Sequence, residues 1–220
     1  MKHGLKYVRC PTEDFRRLRL ARASSPAGFS LIELLAVVAI LLLLFTLYWG
    51  PSFSKNLQRE AQKECQAHLQ KIHMAMAIYA NDHDGKFPEL AGARTSEEAL
   101  ETLLPRYTVD TAEFVCPATK DPPPPLGESF GKHRISYAYY MGHRAADSQQ
   151  VLMSDEQVDT GAKAAGDCAF SSTGKPPGNN HGKLGGNFLF CDGRAESAPP
   201  RLSFSLMLTQ GIVLLNPRPK

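Results

Sequence analysis

Glu33 stands at the head of an apolar run that continues from Leu34 to Trp49. A carboxylate in a segment of membrane length is costly, and an ionisable residue there marks function by default. Cleavage of the chain after Gly28 would turn Phe29 into a new N-terminus, placing an ammonium group four residues before Glu33. Each charge is expensive alone in or near lipid, and pairing offsets part of the cost. Glu33 could neutralise the amine of its own chain or that of a neighbour. The second arrangement selects an axial register between helices, which is a physical route to ordered filament assembly.

Other residues invite chemical readings. His181 with Asp192 or Asp155, and Ser154 as nucleophile, suggest hydrolysis, but no Gly-x-Ser-x-Gly elbow surrounds any serine. Ser172-Thr173-Gly174-Lys175 lacks the upstream glycine of a phosphate-binding loop. Asp82, Asp84 and Asn81 offer oxygen ligands at the start of a calcium-loop-like stretch, yet the late glutamate of such a loop is missing, since Gly92 and Ala93 occupy the positions where it would fall. Turn formation explains Asn81–Gly85 without a metal. Cys10 precedes Gly28, leaving Cys65, Cys116, Cys168 and Cys191. In an oxidising compartment these four allow three disulfide pairings, and the alternative is four unpaired, buried thiols. The absence of any Cys-x-x-Cys argues against a structural zinc site, and no metal is expected from this pattern.

The elements that must position these groups fall into four segments. Residues 1–28 form a basic leader with seven basic and two acidic residues. Residues 29–49 are a candidate transmembrane helix; at 21 residues it would span about 30 Å, the hydrocarbon thickness of a bilayer. The run ends in Tyr48 and Trp49, rings suited to an interface, and not in the small residues of a signal-peptidase site. Gly50-Pro51 predicts a kink or break. Residues 50–80 are an amphipathic helix whose stripe of Phe53, Leu57, Ala61, Cys65, Leu69, Ile72, Met76 and Tyr79 recurs every three or four positions. Residues 81–220 are the globular part, with a short helix over 96–104 and strands over 135–141 and 151–154. A hairpin over 187–197 should turn at Asp192-Gly193 in a type I′ turn. Residues 159–187 read as a long glycine-rich loop. The fold class is therefore α+β, a long N-terminal helix packed on a small antiparallel sheet.

Net charge is +3, but the portion after Gly28 carries 18 basic and 20 acidic residues, a net of −2. The basic character belongs to the leader, so no nucleic-acid partner is expected. Basic residues ahead of the apolar run keep the N-terminus cytoplasmic and send the remainder across the membrane.

Gly28-Phe29-Ser30-Leu31-Ile32-Glu33-Leu34-Leu35-Ala36-Val37-Val38-Ala39-Ile40 resembles, nearly residue for residue, the signal of type IV prepilins and type II secretion pseudopilins. The resemblance implies cleavage between Gly28 and Phe29 by a prepilin peptidase, N-methylation of Phe29, and Glu33 as the assembly glutamate. It implies other pilin or pseudopilin subunits, an inner-membrane platform, an assembly ATPase and membrane lipid as partners. The resemblance also implies a single-pass inner-membrane protein with a periplasmic domain, drawn into a filament, serving type II secretion and not catalysis. The alternative is a membrane-anchored periplasmic enzyme or a ligand- or calcium-binding domain. Residues 69–88, Phe114-Val115-Cys116-Pro117, Ser136-Tyr137-Ala138-Tyr139 and Asn180-His181 through Asp192-Gly193 resemble a prepilin-like subgroup named for a carboxy-terminal His-x9-Asp-Gly motif. Here ten residues separate His181 from Asp192, one more than in that motif. Calcium in a carboxy-terminal loop of related pseudopilins makes Asp155, Asp159, Asp167 and Asp192 candidate ligands, with no other cofactor implied.

Overall fold

The computed structural model describes residues 30–131 and 133–219, without the side chains of residues 49–55. Gly28, Phe29, Cys10 and the rest of the basic leader lie outside the described residues, as do the side chains of Trp49 and Phe53. The described residues divide into two compact units, the first ending at Leu47 and the second beginning at Tyr48.

Helix α1 runs Leu31–Asp82. Its backbone stays helical through Gly50-Pro51, so the expected break does not occur. A proline inside a helix removes one amide donor and crowds one turn; the helical bonds on either side outlast that local loss. In the first unit the apolar residues are exposed, Leu31 at 81%, and Leu31–Tyr48 is long and apolar enough to cross a membrane. Among the described residues this surface stays exposed, and lipid or other apolar helices are what would cover it.

In the second unit the expected stripe is confirmed where it meets the sheet. Cys65, Leu69, Ile72 and Met76 are fully buried, while Leu57 is exposed and Ala61 and Tyr79 are half-buried. Gln62, which the apolar stripe omits, is also buried. The helix ends in the turn at Asn81–Gly85, where Gly85 N–H donates back to Ala80 O at 2.8 Å. The helix expected over 96–104 is shorter: α2 spans Ser96–Leu100 and a 3-10 turn follows over Glu101–Leu103.

Five antiparallel strands follow: β1 Tyr137–Met141, β2 Val151–Asp155, β3 Gly186–Phe190, β4 Ala195–Ala198 and β5 Val213–Leu215. Their order in the sheet is β4-β3-β2-β1-β5. The tail strand β5, not foreseen from three apolar residues, closes the far edge by pairing Leu215 with Tyr139 and Val213 with Met141. Alternation assigns Tyr137, Tyr139, Met141, Met153 and Leu189 to the core shared with α1, and Ala138, Tyr140, Val151, Phe188 and Phe190 to the opposite side. A register shift between Val151 and Met153 lets both Leu152 and Met153 face the α1 core.

The second face is covered by the segment read as a loop and by the tail. Ala169, Phe170, Leu202 and Leu206 are buried against it. Bridges Lys163↔Leu206 and Cys168↔Arg201 tie loop to tail. With both faces covered, β1, β2 and β3 are buried at every position.

The β3–β4 hairpin forms as expected but with a different turn. Gly193 N–H donates to Phe190 O and Phe190 N–H to Arg194 O, both at 2.9 Å. Gly193 has φ +87°, and Asp192 does not share a positive φ. A type I′ turn needs positive φ at both central residues; this is a three-residue connection, Cys191-Asp192-Gly193, with the glycine in the left-handed position.

Candidate functional site

At the N-terminal end the sequence Ser30-x-x-Glu33 is a helix-capping pattern. Ser30 O accepts from the Glu33 and Leu34 amides at 2.9 and 3.1 Å. Glu33 Oε2 accepts from Ser30 N–H at 3.4 Å, so its carboxylate folds back over the helix start. A carboxylate at this end also interacts favourably with the helix dipole. The Glu33 carboxylate is thus held against the helix start, beside the residue that follows Phe29.

The other concentration of chemistry is inside the second unit. Cys65 comes from the buried stripe of α1. Cys116 follows the 3-10 turn Thr111–Phe114, whose start is capped by Asp110 accepting from Ala112 N–H at 3.2 Å. Asp155 ends β2, opposite Tyr137 of β1. His181 lies in the loop before β3. The Cys65 and Cys116 sulfurs, an Asp155 oxygen and a His181 ring nitrogen all lie within 4.8 Å of one another. All four residues are buried, with Asp155 exposed by 1% and His181 by 2%.

Each contact in the cluster has a direction. Cys65 S–H donates to Asp155 Oδ1 at 3.2 Å, and Cys65 Sγ is 3.2 Å from the Tyr137 hydroxyl. His181 Nε2 is 3.3 Å from Asp155 Oδ2 and 3.5 Å from Cys116 Sγ. Asp155 is gripped from outside: Asn180 Nδ2 donates to Oδ1 at 3.0 Å and Asn187 N–H to Oδ2 at 2.6 Å. Asn187 is itself fixed, donating to Gln62 O at 3.1 Å and accepting from Ser197 Oγ at 2.9 Å. The Gln62 side chain, buried on the helix, itself donates through Nε2 to Gly186 O at 3.5 Å.

These surroundings separate the two thiols. Burial, with the Cys116 contact and the nearby Asp155 charge, raises the Cys65 thiol well above its usual range. The Cys65 hydrogen bond, working against burial and joined by the His181 contact, lowers Cys116 to about 7. Burial alone would disfavour an imidazolium at His181; the bonds and charges of Asp155 and Cys116 outweigh it and lift the ring to about 10. His181 Nε2 thus faces both Asp155 Oδ2 and Cys116 Sγ.

The residues singled out from the sequence sort as follows. His181 meets Asp155, whereas Asp192 sits at the exposed hairpin turn and accepts from Arg194 N–H at 3.0 Å. Gly193 packs on α1: a Cβ there would lie 2.9 Å from His73 Nδ1, and His73 Nε2 in turn contacts Cys191 O at 2.9 Å. Ser154 neighbours Asp155 in the strand and so points to the other face, where Gln157 Nε2 donates to it at 2.9 Å. Asp82 binds Arg106 at 2.9 Å, Asp159 binds Lys163 at 3.2 Å, and Asp167 accepts from Ala164 N–H at 2.7 Å. Asp155 is the member of the calcium set that joins the cysteine–histidine cluster. Cys65, Cys116, Cys168 and Cys191 are free thiols, so the disulfides weighed as one alternative are not formed in this structure. The absence of a Cys-x-x-Cys speaks only to ligands close in sequence, and these four groups come from four distant segments.

Residues 24–48 match the family model described as the prokaryotic N-terminal methylation motif. The chain is similar to the ComG operon protein 3 homolog of Bacillus licheniformis, 36% identical over 66 residues, which is 29% of this chain. The match spans 65% of that relative's length. No solved structure matches the chain. A prepilin-type methylation motif leading into a pilin-like α+β arrangement of one long helix and a five-stranded antiparallel sheet is what these comparisons and the fold jointly establish.

Proposed function

We propose that the chain is a pseudopilin, a filament subunit of the cell envelope in a type II secretion or type IV pilus-like machine. Prepilin peptidase cuts between Gly28 and Phe29 and Phe29 is N-methylated. Glu33 then receives the amine of a neighbouring subunit while the apolar helix is held first by lipid and later by other subunits. The N-terminus faces the cytoplasm and the domain the periplasm. An assembly ATPase and an inner-membrane platform supply the work.

The observation that carries this reading is Glu33 at the mouth of an exposed, membrane-length helix inside a methylation motif. The similarity to a ComG operon protein 3 homolog supports it. A mechanical role is also supported by the burial of His181 and Asp155, which leaves that cluster without access for a substrate.

The test has two parts. Mass spectrometry of the protein from its native membrane should give a methylated Phe29 N-terminus. Glu33→Ala should remain membrane-bound but lose self-crosslinking between subunits. An unprocessed N-terminus, a cut after Trp49, or undiminished crosslinking in Glu33→Ala overturns the reading.

A further inference from the structure

We infer that Cys65, Cys116, Asp155 and His181 form a structural zinc site that clamps α1 to the sheet and its loops. The donor set is a thiophilic one: two sulfurs, one imidazole nitrogen and one carboxylate oxygen suit a borderline-soft ion and not calcium or magnesium, which take oxygen ligands.

The geometry favours a metal over a plain hydrogen-bond network. Ligands at about 2.0–2.1 Å (N, O) and 2.3 Å (S) around a tetrahedral zinc stand about 3.3 Å apart for an N–O edge and about 3.5 Å for an S–N edge. His181 Nε2 to Asp155 Oδ2 is 3.3 Å and Cys116 Sγ to His181 Nε2 is 3.5 Å. A charge-assisted N–H···O bond would settle at about 2.7–2.9 Å, well inside the observed separation. All polar contacts of the His181 ring also converge on one nitrogen: Asp155, Cys116 and the Asn187 amide at 3.4 Å surround Nε2, while Nδ1 has no hydrogen-bond partner. One nitrogen cannot satisfy a donor and two acceptors together, but a single ion can draw the two acceptors and the nitrogen to itself.

The outer contacts fit as well. A ligating carboxylate is normally oriented by further donors, and Asn180 and Asn187 supply them to the two oxygens of Asp155. Four protein ligands in a buried place leave no open coordination position, the mark of a structural site. The ligands come from α1, from the segment after the 3-10 turn, from the end of β2 and from the loop before β3. Binding would therefore cross-link segments separated by up to 116 positions in the chain, from Cys65 to His181. The site is independent of filament assembly, and it also keeps both thiols reduced in an oxidising compartment.

The full chain, purified in detergent without chelator or reductant, tests this. Elemental analysis should find about one zinc per chain, removable by chelation and restored by added zinc. Cobalt(II) in its place should give thiolate-to-metal charge transfer and the visible bands of a tetrahedral ion. Cys116→Ser and His181→Gln should each lose at least about tenfold in zinc affinity, whereas Cys168→Ser should retain it. Should the cluster variants fail to fold, alkylation of the wild type reads the same question: Cys65 and Cys116 should become reactive on chelation while Cys168 keeps its rate. Chains that take up no zinc or cobalt, a Cys65–Cys116 disulfide in the isolated protein, or alkylation unchanged by chelation overturns the site.

Discussion

Gly185→Ala should be among the most damaging single-methyl additions to this domain, and its cost can be worked from backbone geometry. Gly185 has φ +101°, and a Cβ there would lie 2.0 Å from Ala198 O and 2.8 Å from the Pro199 carbonyl carbon. Those atoms are backbone at the end of β4, so no side-chain rotation relieves the clash. The strained conformation costs about 1–3 kcal/mol for a residue with a side chain. Moving Ala198 away weakens its pairing with Gly186, at about 1 kcal/mol for each hydrogen bond lost. With one or two such bonds lost the total is about 2–5 kcal/mol, a large part of the roughly 5–15 kcal/mol that holds a domain folded. Gly182 is the control, with φ +62° and nothing within 4 Å of its Cβ, so Gly182→Ala should cost only about 1–2 kcal/mol. Urea unfolding of the full chain in detergent, followed by near-ultraviolet circular dichroism of the buried tyrosines, measures both. If the two variants differ by less than about 0.5 kcal/mol, the close approach of the Gly185 backbone to β4 is not what the residue is there for.

Two further outcomes follow from polar groups away from the cluster. Arg134 holds Asp121 at 3.0 Å and Glu156 at 2.7 Å from a largely buried position; Arg134→Ala should lower stability by about 2–4 kcal/mol by removing the cation that Glu156 faces, and an unchanged urea midpoint would refute this. Burial depresses the His143 pKa, against the pull of Asp147 at 3.5 Å. A depressed folded-state value means this group's contribution is present above about pH 6.5 and lost as pH falls. His143→Gln should therefore flatten the decline in stability between about pH 7 and pH 5, and a decline as steep as in the wild type would refute the assignment.

The sequence carried the parts of this protein that depend on local pattern. Glu33 in an apolar run, the three-and-four spacing from Cys65 to Met76, and the hairpin ending at Gly193 are all short-range signals, and each reappears in the fold. The type of the hairpin turn was not legible, because Asp-Gly fits both a two-residue and a three-residue connection and the pairing of Phe190 with Arg194 chooses between them. Strand β5 is three residues long and has no signal of its own; it exists because β1 presents an unpaired edge. Residues 159–187 read as a long loop, yet together with the tail they cover a sheet face, since a strand set buried on both sides needs a second apolar layer.

The cluster marks the division most sharply. His181 and the cysteines stood out by residue type, but their spacing argued against a metal, and His181 was matched first with Asp192. Only the folded chain brings Cys65, Cys116, Asp155 and His181 together. Sequence determines which groups a helix or strand presents and to which face, because that follows from a fixed period along the backbone. Which of those faces meet is decided by strand order and chain crossing, and no local period encodes either.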